Sequence, residues 1–116
     1  MQSSLTIQIN GKNFSAALED NLSARAFAER LPLEVNMIEL NGNEKYFYLD
    51  ADLPSDSVSV ERIHAGDLML FGSNCVVLFY KDFATSYTYT RLGKLNDPAD
   101  LEKFLGAGTV RVTFKK

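Results

Sequence analysis

The sequence is poor in the residues from which small proteins build staples, metal centres and many catalytic sites. It has no tryptophan, one cysteine, one histidine and three prolines in 116 residues. A lone cysteine forms no internal disulfide. Cys75 lies in the apolar run Cys75-Val-Val-Leu-Phe-Tyr80 without a cationic neighbour to lower its pKa, which gives it the character of a small buried hydrophobe. With His64 as the sole imidazole, the ligand count of a zinc or other transition-metal site is not met, so no metal and no cofactor is expected. Positive charge is also short. Twelve Lys and Arg stand against 15 Asp and Glu, a net charge of −3, which leaves no cationic excess to neutralise a phosphate backbone and argues against nucleic acid as a partner. No apolar run approaches the roughly 18 residues of a membrane span, and Met1-Gln-Ser-Ser has neither a basic leader nor an apolar segment of the secretory kind. A reducing cytoplasm is the expected setting, with no membrane contact. Gly-x-Ser-x-Gly is missing, and Gly106-Ala-Gly108 precedes a strand instead of opening a helix, so neither a nucleophile elbow nor a phosphate loop is present.

What remains is an ordinary globular composition, 46% apolar and 23% charged, long enough for one domain over residues 1–116 with its own core. Leu5, Ile7 and Ile9 alternate with polar residues and run into Asn10-Gly11, a tight hairpin signal, after which 14–18 returns. Asp20-Asn-Leu-Ser23 offers caps for a short helix through Leu31, with Leu22, Phe27 and Leu31 on its inner face and Pro32 as its stop. Residues 35–40 and 46–49 flank Asn41-Gly42-Asn43 as a second hairpin. Residues 50–59 read as a polar surface loop. Two strands, 67–71 and 75–80, are apolar enough to be covered on both faces or to line a barrel. A strand over 86–92 closes at Gly93, a second helix starts at Asp97-Pro98 with Leu101, Phe104 and Leu105 inward, and 110–114 alternates cleanly. Short strands at this density, with two short helices, predict a mainly β chain: a closed or nearly closed antiparallel barrel in which the first and last strands pair.

The order and spacing of several pieces resemble the small bacterial cyclophilin-like proteins. These pieces are Asp20-Asn-Leu-Ser-Ala-Arg25, Leu31-Pro-Leu33, Glu39-Leu-Asn-Gly-Asn-Glu-Lys-Tyr46, Gly66-Asp67-Leu68, Leu78-Phe-Tyr80, Ser86-Tyr87 and Arg91-Leu-Gly-Lys94. The resemblance covers nearly the whole chain and implies a barrel of about eight strands with a helix near each end, related in fold to the peptidyl-prolyl isomerases. Activity transfers less readily than fold. The family's isomerases carry an arginine and a histidine in a Phe-His-Arg segment, and 37–40 with 44–48 has neither; their pocket tryptophan has no match. What the resemblance retains is an apolar floor in Val76–Phe79, with Leu78 and Phe79 beside the expected ligand.

Candidate ligand-binding residues follow from strand alternation. Tyr46 with Tyr48, and Tyr87 with Tyr89 and Arg91, form two stripes, and tyrosine joins broad contact area to an orienting hydroxyl. Glu39 and Glu44 lie beside them, and Arg91 is the one substitute cation for an amide or carboxylate. The expected function is a cyclophilin-like, non-catalytic module that binds a peptide or small polar ligand. Its rival is a divergent peptidyl-prolyl isomerase using Arg91. A third expectation, carried by the resemblance, is an accessory to a redox partner protein of flavodoxin-like fold. No catalytic residue is assigned, and His64, beside Glu61 and Asp67, reads as structural.

Overall fold

Apolar alternation has its full effect when a sheet closes on itself, because every strand then has one face in the core. The computed structural model describes residues 4–116, so Met1–Ser3, part of the segment read for a leader, lie outside it. Its elements are β1 Ser4–Ile9, β2 Lys12–Leu18, α1 Leu22–Glu29, β3 Leu33–Leu40, β4 Glu44–Tyr48, β5 Val58–Ser59, β6 Arg62–Ile63, β7 Asp67–Phe71, β8 Cys75–Phe79, β9 Phe83–Ala84, β10 Thr88–Leu95, α2 Leu101–Leu105 and β11 Val110–Lys115. Eight strands form an antiparallel ring in the order β2-β1-β11-β3-β4-β8-β7-β10, and β10 returns to β2. The first and last strands pair as expected, with Ile7 opposite Phe114. β5 extends the sheet beyond β10, and β6 with β9 forms a separate two-stranded ribbon.

The hairpins sit where the turn residues place them: Asn10 and Gly11 take φ of 48° and 84°, the left-handed region that such tight turns require. The interior is filled from every strand of the ring, with Ile7, Ile9, Leu68, Leu78, Leu92, Val112 and Phe114 fully buried. α1 adds Phe27, whose ring meets Phe114 edge-on at 5.6 Å. Asn21 caps this helix, its Oδ1 accepting from Ala24 N at 2.7 Å.

Several expectations need correction. The inner face of α1 is Ser23, Ala24 and Phe27, while Leu22 is 66% exposed and the helix ends at Glu29. Positions 23 and 27 share a face at i, i+4, and Leu22 is turned about 100° from that stripe. α2 begins at Leu101 rather than at Asp97-Pro98; the Asp97 carboxylate accepts from Ala99 N at 3.2 Å and so shapes the preceding turn. Residues 50–59 do lie at the surface as expected, exposed except for Leu53, but they are tied down: the Leu53 N–H donates to Ser73 O at 2.7 Å, Ser23 Oγ donates to Pro54 O, and Val58–Ser59 pairs with β10. Gly93 does not close its strand either. β10 passes through an irregularity between Arg91 and Gly93 and continues to Leu95, and this stretch makes the seam with β2.

One end of the barrel is held by a buried cation. Lys45 is fully buried, and its Nζ donates to Gly106 O at 2.9 Å and to Gly108 O, with Glu39 Oε1 at 3.1 Å. Tyr80 OH donates to the same Glu39 oxygen at 2.7 Å. Burial would raise the Glu39 pKa, but hydrogen bonds from Tyr80, Lys45 and Gly42 N outweigh it and hold the carboxyl below its ordinary value. Burial first, then the bond to Glu39, pushes the Tyr80 phenol well above its ordinary value.

A Cβ added at Gly93 would stand 2.5 Å from the Ala17 carbonyl oxygen, so Gly93→Ala must part the seam. Urea denaturation should show a loss of about 1–3 kcal/mol, and a change below about 0.5 kcal/mol would mean that the seam yields freely. Lys45→Met strands two carbonyls and a carboxylate and should cost about 3 kcal/mol, against about 1 kcal/mol for Tyr80→Phe. Equal losses in the two variants would contradict this ranking.

Candidate functional site

β4 points Lys45 and Phe47 inward and Glu44, Tyr46 and Tyr48 outward, as a period of two requires. β8 does the same, with Val76 and Leu78 in the barrel core and Cys75, Val77 and Phe79 on the outside. The register sets Tyr46 against Val77 and Tyr48 against Cys75, and β7 adds Met69 and Phe71 to these rows. The outer surface is therefore apolar, and a second layer covers it. Val60, Ile63, Met69, Cys75, Val77, Phe79 and Tyr89 are buried together, with Phe83 and Tyr46 packed against them. The β6–β9 ribbon holds this cover down, with Thr85 N donating to Glu61 O at 3.0 Å and Ala65 N to Asp82 Oδ1 at 2.7 Å.

Between the outer face of β4 and β8 and the covering segment 83–87 runs a groove of about 500 Å³. Its walls are aromatic. Tyr46 and Tyr48 meet edge-on at 5.7 Å, as do Phe71 and Tyr87 at 6.0 Å, and Phe71 lies 5.6 Å from Tyr89. Val77 and Cys75 line it too, Glu44 and Asn43 stand among the lining residues, and no Lys, Arg or His lines it among the described residues.

Glu44 is only 8% exposed, yet its carboxylate has no hydrogen bond or ion pair among the described residues. Burial, and then the charge of Glu39 on the neighbouring strand, pushes its pKa up to about 7. Asn43 presents a second unmet acceptor, a buried Oδ1 with no partner. Burial, followed by the Glu44 charge, raises the Cys75 thiol to about 11, and burial raises the Tyr89 phenol as well. Neither is a nucleophile near neutral pH.

Of the residues expected from sequence, Glu44, Tyr46, Tyr48, Tyr87 and Tyr89 come together in this groove. The other four do not line it. Leu78 points into the barrel core, since it cannot share a face with its neighbour Phe79, which is buried beneath Phe83 and Tyr89. Glu39 turns to the Lys45 end of the barrel. Arg91 lines a separate hollow with Asn21, Ser23, Pro54 and Asp56, where the covering segment runs beside β10, Val58 opposite Tyr89 and Asp56 N donating to Thr90 Oγ1 at 2.9 Å. Of the expected floor 76–79 only Val77 lines the groove, and sequence reading missed Leu40, Asn41, Asn43, Phe71, Cys75 and 83–86. The alternation of β8 was a usable signal for Cys75 and Val77, whereas nothing local marks 83–86 as a wall.

His64 belongs to the turn before β7: its backbone N donates to Asp67 Oδ2 at 2.9 Å, and the imidazole is half exposed outside the groove. Among the described residues no group of three or more His, Cys, Asp or Glu is gathered as for a metal, and no helix is long and apolar enough to cross a membrane.

The raised Glu44 pKa has a stability consequence with a definite sign. Below its ordinary value of 4.5 the carboxyl is protonated in both folded and unfolded chains. Between there and about 7 the unfolded chain releases the proton while the folded chain keeps it, so stability falls as pH rises through that window and then levels. Glu44→Gln should remove the fall. Unfolding free energies of variant and native protein from urea titrations should diverge from pH 4.5 to pH 8 by about 1–3 kcal/mol in favour of the variant, solvent reaching the carboxylate reducing the full linkage; a constant difference across pH would contradict the assignment.

The comparisons with known proteins concern the fold. The sequence model of a cyclophilin-like family matches residues 7–115. The solution structure of a hypothetical protein from Archaeoglobus fulgidus is similar, with a TM-score of 0.61 at 16% identity, and the match covers 98% of this chain and 94% of that one. No curated protein matches the sequence.

Proposed function

The chain belongs to the cyclophilin-like family, and from that premise we propose that its tyrosine-lined outer groove is a binding site for a peptide or small polar ligand, held without catalysis. One observation carries this reading: a largely buried glutamate beside aromatic and apolar walls, whose carboxylate oxygens open on the groove without a protein partner among the described residues. Leaving such a group unpaired costs free energy, and the stability it forgoes is recovered when a ligand supplies the missing donor. The cavity has the volume of a small-molecule or short-peptide site, largely apolar with few polar groups.

The distribution of cations supports binding over isomerisation. Twisting a prolyl amide is assisted by a donor or cation aimed at it, and neither the cation on β4 nor the one expected from sequence lines the groove. Lys45 is sealed inside the barrel, and Arg91 opens on a different hollow. In a proline-limited refolding assay, catalytic amounts of the protein should leave the rate unchanged. Amide NMR titration with short blocked peptides should move residues 44–48 and 83–89, and Ala84→Trp, which narrows the mouth, should weaken binding at least tenfold. Accelerated refolding, or shifts confined to the Arg91 hollow, would overturn the proposal.

A further inference from the structure

The groove's one charged group is an anion, and its other polar groups are neutral hydroxyls and amides. Glu44 offers two carboxylate oxygens and Asn43 one amide oxygen, all without donors among the described residues, and no cationic side chain is present to meet them. A neutral amide N–H would satisfy one oxygen and leave a buried negative charge uncompensated. An anion would be repelled. A compact cation with several N–H donors meets both demands at once, and aromatic walls favour it further, since ring faces attract cations in desolvated sites.

We infer that the groove selects a primary ammonium carried on an apolar body, the ammonium meeting the Glu44 carboxylate while the body lies along Tyr46, Val77 and Tyr89. This rests on reading the groove as a binding site and names the chemistry of what it binds. The exposed rings of Tyr48 and Tyr87 at the mouth leave room for the body to continue outward, so a free amine or the ammonium end of a longer chain is accommodated alike.

The protonation state of Glu44 makes the preference depend on pH. The groups around it come from three sides: Glu39 from β3, engaged with Lys45 and Tyr80; Cys75 from β8 and Tyr80 just after it; and Tyr89 from β10. The thiol and both phenols stay protonated near neutral pH, and Glu39 stays ionised. Between pH 5.5 and pH 8 the groove therefore changes charge at Glu44 alone. Ammonium binding must displace that proton, so it strengthens as pH rises.

The test uses three probes of one shape, phenethylammonium, phenylacetamide and phenylacetate, titrated into the full chain and followed by amide NMR. Phenethylammonium should bind at pH 8 at least tenfold more tightly than either of the others, moving residues 43–48 and 83–89. Its affinity should fall on the order of tenfold between pH 8 and pH 5.5, while that of phenylacetamide stays level. Glu44→Gln, with its fold checked by the same spectra, should bind the amine and the amide alike. Equal binding of the neutral and cationic probes in the native groove overturns the ammonium inference and leaves the binding site standing. Failure of all three probes to move the groove overturns both. The pH series on the native protein keeps the test decisive should the variant not fold.

Discussion

Closing the sheet into a ring obliges each strand to place alternate residues inside and outside, and on β4 that rule separates two adjacent charges. Lys45 turns inward to a barrel end where two glycine carbonyls and a carboxylate were waiting, so its burial is compensated group by group. Glu44 turns outward into a surface that the rest of the chain has made apolar, and it finds nothing. The same backbone register therefore yields a structural cation and an unspent anion one residue apart. Shifting β4 by a single residue would exchange them and destroy both arrangements.

The outer apolar surface exists because β7 and β8 are hydrophobic on both faces. A strand of that kind must be covered twice, and the barrel supplies only the inner cover. The segments 58–64 and 83–89 provide the second, through β5 on β10 and the β6–β9 ribbon. Where this cover packs tightly it buries Phe79 and Met69; where it stands off from β4 it leaves the groove. Arg91 opens on a different hollow, walled by the same cover where it runs beside β10 at Val58 and Asp56. Binding and stability are thus set against each other at Glu44, whose burial weakens the fold above neutral pH and prepares a place for a complementary charge.

Much of the barrel was legible because its signals are local. The clean alternation of 5–9 and 110–114 marked two half-buried strands that pair, and Asn10-Gly11 and Asn41-Gly42 marked the turns. Where reading failed, the deciding partner was distant. The strap over 50–59 is held by Ser23, Ser73 and β10, so polar composition gave no hint of it. Gly93 reads as a stop until Ala17 of β2 is seen against it. Leu22 looks like the inner residue of α1 until the helix is rotated onto Phe114.

Taken alone, the order of residues determined the class of fold, the hairpins, the scarcity of metal ligands and the outward stripe of Tyr46 and Tyr48, since all of these depend on composition or on a period of two along one strand. Tertiary structure decided which of the charged residues reach that stripe. Lys45 and Arg91 each bring one positive charge in the sequence, and Glu39 and Glu44 each one negative. Only the closed ring and its outer cover determine whether each charge is paired, sent to another hollow or left buried without a partner, because pairing depends on atoms brought together from strands far apart in the chain.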